Sequence, residues 1–252
     1  KRNVTLTSLD AEKQYDGTPL TKEEVIVSGD GFVEGEGATY DFSGTGQTQV
    51  GGDKGNNKFA YNLNGNTKAG NYNITTSFGT LTVMQNTAVY TIAISGKSDT
   101  LKYNGSEQSV SGYTVDIPKA LKGIYSESDI AYSGDAVAKG VDAGAYKMNL
   151  DASRFSNKNA SFTNVRFEVK TDGQLVIGKR DVTLTAASGK KPYDGTPLTN
   201  STVTVAGDGF VVGEVANLRA EGSITAVGKT DNVAKYETAG RFNVNNYNIT
   251  TV

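Results

Sequence analysis

Residues 1–36 align without a gap to residues 179–214, and 23 of those 36 positions are identical. Internal self-similarity of this kind constrains a chain more than its composition does. Both stretches must fold as the same unit, and a unit that repeats cannot rest on a single irregular core. The shared core is Lys-Arg-x-Val-Thr-Leu-Thr, then YDGTPLT at Tyr15–Thr21 and Tyr193–Thr199, then GDGFV-x-GE at Gly29–Glu36 and Gly207–Glu214. NYNITT recurs at Asn71–Thr76 and Asn246–Thr251, so the second copy has lost three residues net.

A more distant cousin lies between them. Tyr103-Asn104-Gly105 stands where the copies have Tyr-Asp-Gly, and Ala143-Gly144-Ala145-Tyr146 stands beside Ala69-Gly70-Asn71-Tyr72. Gly173–Ile177 (GQLVI) resembles Gly79–Val83 (GTLTV). The expected organisation is three domains: 1–85, a divergent 86–178, and 179–252. The third stops at Val252 where the first continues into Phe78–Val83. It is therefore expected to lack its last strand, leaving an edge that is frayed or covered by a neighbouring chain. The chain opens at Lys1 directly on a repeat, and reads as an excised part of a longer protein.

Alternation with period two sets the fold class. Val4/Leu6, Val25/Val27, Tyr72/Ile74 and Leu81/Val83 face one way while Thr, Ser or Asn faces the other. Tyr90/Ile92/Ile94, Tyr146/Met148/Leu150 and Val165/Phe167/Val169 do the same in the middle, and Val182/Leu184 and Val203/Val205 repeat the opening set. The 30 Gly and 13 Tyr fit short strands joined by tight turns. The expected fold is all-β: tandem immunoglobulin-like β-sandwich domains of antiparallel sheets in an elongated rod, with short joints at Met84–Ala88 and Gly178–Arg180. The alternative is β-grasp-like units, each with one helix on a sheet. Two short helical turns are expected, one within Ile117–Tyr125 and one over Thr21–Glu24 capped by Thr21.

The chain contains no Cys and no His, which removes disulfides, thiol nucleophiles and the commonest general base. It contains no Trp, and so lacks the strongest sugar-stacking platform. A formal net charge of −2 leaves no basic footprint for nucleic acid. No apolar run is long enough for a membrane-spanning helix. No enzyme activity, cofactor or membrane insertion is expected. Asp30, Glu34, Glu36 and Asp41 surround a Gly-rich loop, but their spacing is not that of an EF-hand, and the loop reads as a solvated turn with no metal. Lys1 and Lys179 lie at joints rather than mid-strand, which argues against an internal Lys–Asn crosslink.

The most specific local signal is the Tyr-x-Gly motif. Asp16-Gly17 and Asp194-Gly195 favour a tight turn because Gly accepts positive φ, and Pro19 and Pro197 hold the following chain extended. Tyr15, Tyr103 and Tyr193 are expected to bury their rings and send their hydroxyls to backbone groups. Gly105 takes the place of Gly17 in the middle stretch. Tyr40, Tyr61, Tyr113 and Tyr132 are the candidates for stacking on a ligand, with ordinary sheet packing as the competing role.

YDGTPLT, GDGFV-x-GE and NYNITT resemble the YDG/MBG-type tandem repeats of Gram-positive, gut Firmicutes cell-surface adhesin-like proteins. YNGSEQSVSGY and DAGAY resemble a second repeat type that alternates with them. The resemblance spans nearly the whole chain and implies an extracellular, cell-wall-attached, multi-domain protein with no catalytic residues to carry over. It implies a stalk or spacer that projects a distal binding region, with neighbouring repeats as partners. The second reading is a weak binding module for host glycan, mucin or protein.

Overall fold

A computed structural model describes all 252 residues. The fold is all-β and β-sandwich-like: short strands alternate with turns, and the only helical elements are five 3-10 turns of three residues each. With no α-helix present, the β-grasp alternative lacks its defining element. Pro118 starts the expected turn at Lys119–Leu121, whereas Thr21–Glu24 runs as irregular chain between the Leu20 bridge to Gln47 and the strand Val25–Gly29. Thr21 therefore caps nothing. The Leu20–Gln47 bridge holds the chain extended just where that turn would start.

Contacts divide the chain into two compact units. One comprises Lys1–Ala93, Val115–Ser133 and Ala152–Glu168, the other Ile94–Thr114, Gly134–Asp151 and Val169–Val252. Each combines one of the near-identical stretches with part of the middle stretch.

In the first unit, Arg2–Ser8 pairs antiparallel with Val25–Gly29 and parallel with Tyr72–Ser77. Ala11–Gln14 pairs parallel with Leu81–Met84, and Ala38–Asp41 pairs antiparallel with Ala60–Leu63. The alternation is realised at Val4, Leu6, Leu81 and Val83, each at most 1% exposed. Burying each such side chain contributes about 1.5–3 kcal/mol. Phe42, Phe59 and Tyr72 form one core cluster with Val4 and Leu6. The sheets are mixed rather than antiparallel throughout. Alternation reports which face a residue takes and not the direction of its neighbour. The long crossover that parallel pairing demands is here the whole run between the two strands.

The second unit repeats this scheme. Arg180–Ala186 pairs antiparallel with Val203–Gly207 and parallel with Tyr247–Thr251. Asp99–Lys102 pairs parallel with Gln174–Gly178, matching the alignment of GQLVI to GTLTV. One continuous core joins Tyr103, Met148, Leu175 and Ile177 to Val182, Leu184 and Tyr247. The expected strand through Met148 stops at Lys147, because Asn149 adopts a φ of 56° and breaks the alternation. The stretch 187–192, counterpart of the strand Ala11–Gln14, forms no strand. It borders a groove of about 540 Å³ lined by Lys190, Leu198, Ile224 and Val252, at the place that Leu81–Met84 fills in the first unit.

Candidate functional site

The three Tyr-x-Gly turns are built alike. Gly17, Gly105 and Gly195 all sit at a φ of +79°, a conformation that an L side chain resists. The Asp16 carboxylate accepts from the Thr18 backbone N–H at 2.9 Å and from Lys13 Nζ at 2.7 Å. Asp194 does the same with Thr196 N–H and Lys191 Nζ, and Asn104 Oδ1 accepts from Ser106 N–H. Lys13 holds the Asp16 carboxyl well below the usual range, with Thr18 assisting, and Lys191 likewise holds Asp194 down at about 2. The acid at this position rigidifies the turn by bonding its own backbone two residues on.

What the turns do is seen in their surroundings. In the second unit the Tyr103 side chain is only 1% exposed. Its hydroxyl donates to Glu214 Oε1 at 2.5 Å, and its ring meets that of Tyr247 edge-on, at 5.7 Å and 84°. Its carbonyl accepts from Arg180 Nη1 at 3.2 Å. A Cβ on Gly105 would lie 2.9 Å from Val211 Cγ1, so that side chain closes tightly on the turn. Glu214 is itself buried and also accepts from the Tyr247 hydroxyl at 2.5 Å, while that hydroxyl accepts from Val211 N–H. Burial, with Glu214 as the next cause, pushes both tyrosine hydroxyls up to about 12. Two charge-assisted hydrogen bonds to one desolvated carboxylate form a strong local arrangement. Asn246 Nδ2 donates to Asp142, and Asn246 Oδ1 accepts from Ala143 N–H, close beside it.

The first unit contains a second filled seat. The Tyr15 ring meets Phe162 edge-on at 5.6 Å and 84°. The Tyr15 carbonyl accepts from Asn86 Nδ2 at 2.9 Å, and a Cβ on Gly17 would lie 2.1 Å from Ile124 Cγ2. Three features therefore recur: an aromatic ring edge-on to the tyrosine, a side-chain donor to its carbonyl, and an aliphatic group over its glycine. In both cases the donor, Asn86 or Arg180, is the first residue of a strand. The ring under Tyr15 is Phe162 and not Tyr146, which the alignment sets beside Tyr72. Tyr146 instead donates to the Asp142 carbonyl and packs against Gly140. The Tyr103 hydroxyl goes to a carboxylate rather than to a backbone group, because a buried acid lies within its reach. Tyr193 is the exception among the three, 69% exposed, with no heavy atom near its glycine.

The other motif residues take structural places. The Pro19 and Thr18 carbonyls accept from Lys13 Nζ, and Pro197 leads into the short strand Leu198–Thr199. Tyr40 and Tyr61 pack against the Phe42–Phe59 core, Tyr40 edge-on to Phe59 at 5.6 Å. Tyr132 stacks on Phe155 at 4.3 Å, and Tyr113 is half-buried in the second unit. Asp30 accepts from Asn3 N–H, Glu36 from the Tyr72 hydroxyl, and Asp41 from Ser43. These acids face separate partners and do not converge. Glu214, Phe162, Asn86, Ile124 and Val211 are site residues that the motif itself does not contain. A clue to Glu214 is that it and Glu36 are identical in the two copies, inside a Gly-rich loop that otherwise looks solvated.

No helix is long and apolar enough to cross a membrane. No family model and no curated protein matches the chain.

Proposed function

We propose that the chain is a load-bearing spacer: tandem immunoglobulin-like repeats of an extracellular, cell-wall-attached adhesin, whose partners are neighbouring repeats and which carries no catalytic step. The resemblance of YDGTPLT, GDGFV-x-GE and NYNITT to YDG/MBG-type repeats supports this reading. The observation that carries it is the direction of pairing at the repeat ends.

Arg2–Thr7 runs parallel to Tyr72–Ser77 over six residue pairs, and Ala11–Gln14 runs parallel to Leu81–Met84 over four. Arg180–Leu184 runs parallel to Tyr247–Thr251 over five. When tension pulls the entering strand back and the leaving strand forward, a parallel pair must slide along its length. All ladder bonds are then loaded together. An antiparallel pair pulled at its open end gives way one bond at a time. The seated Tyr-x-Gly turns add a fixed contact at each joint, which a spacer needs and a flexible linker lacks.

Single-molecule pulling tests the proposal, since forced unfolding reports the unfolding barrier. Stretched through handles at Arg2 and Met84, the outer ends of these parallel ladders, the structure is expected to break at a clearly higher force than when pulled through handles at Ser8 and Val25. That second pair faces across the antiparallel ladder and unzips. Equal forces in the two geometries would remove the case for a load-bearing role.

A further inference from the structure

Asn-Gly occurs twice in the chain, at Asn64-Gly65 and Asn104-Gly105, and the second pair belongs to the turn that carries Tyr103. The two related turns have Asp at this position, clasped by a lysine that precedes the tyrosine. Lys13 bonds Asp16 at 2.7 Å and Lys191 bonds Asp194 at 2.9 Å. In the middle stretch Leu101 stands where those lysines stand. Its neighbour Lys102 is taken up by Asp208 at 2.6 Å and Asp181 at 3.3 Å. The Tyr103 turn thus carries a neutral carboxamide where its relatives carry a clasped carboxylate. The difference is one of reactivity as well as charge. An ionised carboxylate resists attack by a neighbouring amide nitrogen, and the lysines keep Asp16 and Asp194 ionised. A carboxamide has no such protection.

The surroundings of Asn104 fit that attack. Asn104 is exposed, and its Oδ1 accepts from the Ser106 N–H at 2.9 Å. A donor at that place stabilises the negative charge that builds on Oδ1 when a nucleophile adds to Cγ. The Gly105 nitrogen and Asn104 Nδ2, the nucleophile and the leaving group, make no hydrogen bond within the protein. Glycine has no Cβ to shield its nitrogen. We propose that Asn104-Gly105 is a self-modifying site, where spontaneous deamidation converts the Tyr103 turn into one that holds its seat less firmly. The Gly105 N–H gives its proton to solvent, its nitrogen bonds to Asn104 Cγ, and the Cγ–Nδ2 bond breaks with release of ammonia. Water then opens the cyclic imide. Cleavage between Cγ and the nitrogen leaves aspartate. Cleavage at the main-chain carbonyl leaves isoaspartate, whose main chain runs through Cβ and Cγ.

Both products disturb the seat. A Cβ on Gly105 would lie 3.6 Å from Glu214 Oε1, so a new carboxylate on the preceding residue brings like charge toward a buried acid with no lysine to offset it. Isoaspartate adds a methylene to the main chain between Tyr103 and Gly105. Val211 closes tightly on that glycine, and the Tyr103 hydroxyl must still reach Glu214 at 2.5 Å.

Ageing the unaltered chain at mildly alkaline pH tests this. Peptide mapping by mass spectrometry is expected to show conversion at Asn104 well ahead of Asn64, whose carboxamide oxygen has no N–H donor. Conversion at Asn104 no faster than at Asn64 would overturn the proposal. The fraction converted at Asn104, separated by anion exchange, is expected to unfold its second unit at a lower urea concentration than the intact chain. An unchanged midpoint would overturn the proposal as well. Asn104→Gln is the control, because its longer side chain must close a larger ring and does so far more slowly. That variant is expected to keep its midpoint through the same ageing. A loss equal to that of the unaltered chain would place the change elsewhere and overturn the proposal.

Discussion

Replacing the turn glycines one at a time with alanine separates the strain of the turn from the fit of the joint. Gly17, Gly105 and Gly195 share a φ of +79°, so the left-handed backbone costs each alanine about the same, roughly 1–2 kcal/mol. The surroundings differ by design of the fold. The new Cβ would lie 2.1 Å from Ile124 Cγ2 at position 17, 2.9 Å from Val211 Cγ1 at position 105, and within 4 Å of nothing at position 195. Overpacking a fitted contact costs about 1–3 kcal/mol more. Gly195→Ala is therefore expected to lose no more than about 1–2 kcal/mol, Gly17→Ala roughly 2–5 kcal/mol, and Gly105→Ala an intermediate amount. Urea denaturation followed by hydrogen exchange of each unit's strands gives the three values separately. If Gly17→Ala and Gly195→Ala cost the same within about 0.5 kcal/mol, the Tyr15 turn is not seated against Ile124 and the joint is misassigned.

The Tyr103 and Tyr247 hydroxyls ionise ordinarily near 10 and are held up to about 12, first by burial and then by Glu214. A group whose folded value is raised stabilises fully below its unfolded value and loses that contribution as pH climbs through the folded one. The second unit is thus expected to lose stability between about pH 10 and 12, and a Tyr103→Phe/Tyr247→Phe variant to show a flatter profile in an alkaline thermal-melt series. Phe162 is 2% exposed and lies edge-on to Tyr15, Tyr90 and Tyr125. Phe162→Ala is expected to destabilise the first unit by about 3–5 kcal/mol and to raise the solvent exposure of Tyr15 in its fluorescence.

Much of the fold is legible in the sequence because it is local. Alternation places Val4, Leu6, Leu81, Val83, Val182 and Leu184 in the cores, and the Asp-Gly pairs announce turns whose acids bond their own backbone. The seats are harder to read because they are built at long range. Tyr103 and Glu214 are 111 residues apart, and nothing in either neighbourhood names the other. Glu214 stands in a Gly-rich, acidic loop that reads as solvent-facing, and only its tyrosine partners show why an acid is kept there. Pairing direction is hidden for a different reason. Val4 and Ile74 would alternate identically beside a parallel or an antiparallel neighbour, so parallel closure of the repeat emerges only from the register. Tyr146 shows the limit of alignment: the middle stretch keeps an Ala-Gly-x-Tyr motif, yet the ring in the seat comes from Phe162.

A double-mutant cycle on Tyr103→Phe and Glu214→Gln measures the joint most directly. Both groups are buried and share a 2.5 Å hydrogen bond, so the coupling is expected to fall at about 1–3 kcal/mol, with each single change costing more than it does in the other's absence. Strict additivity of the two changes would mean that the tyrosine of the turn is not held by the buried acid.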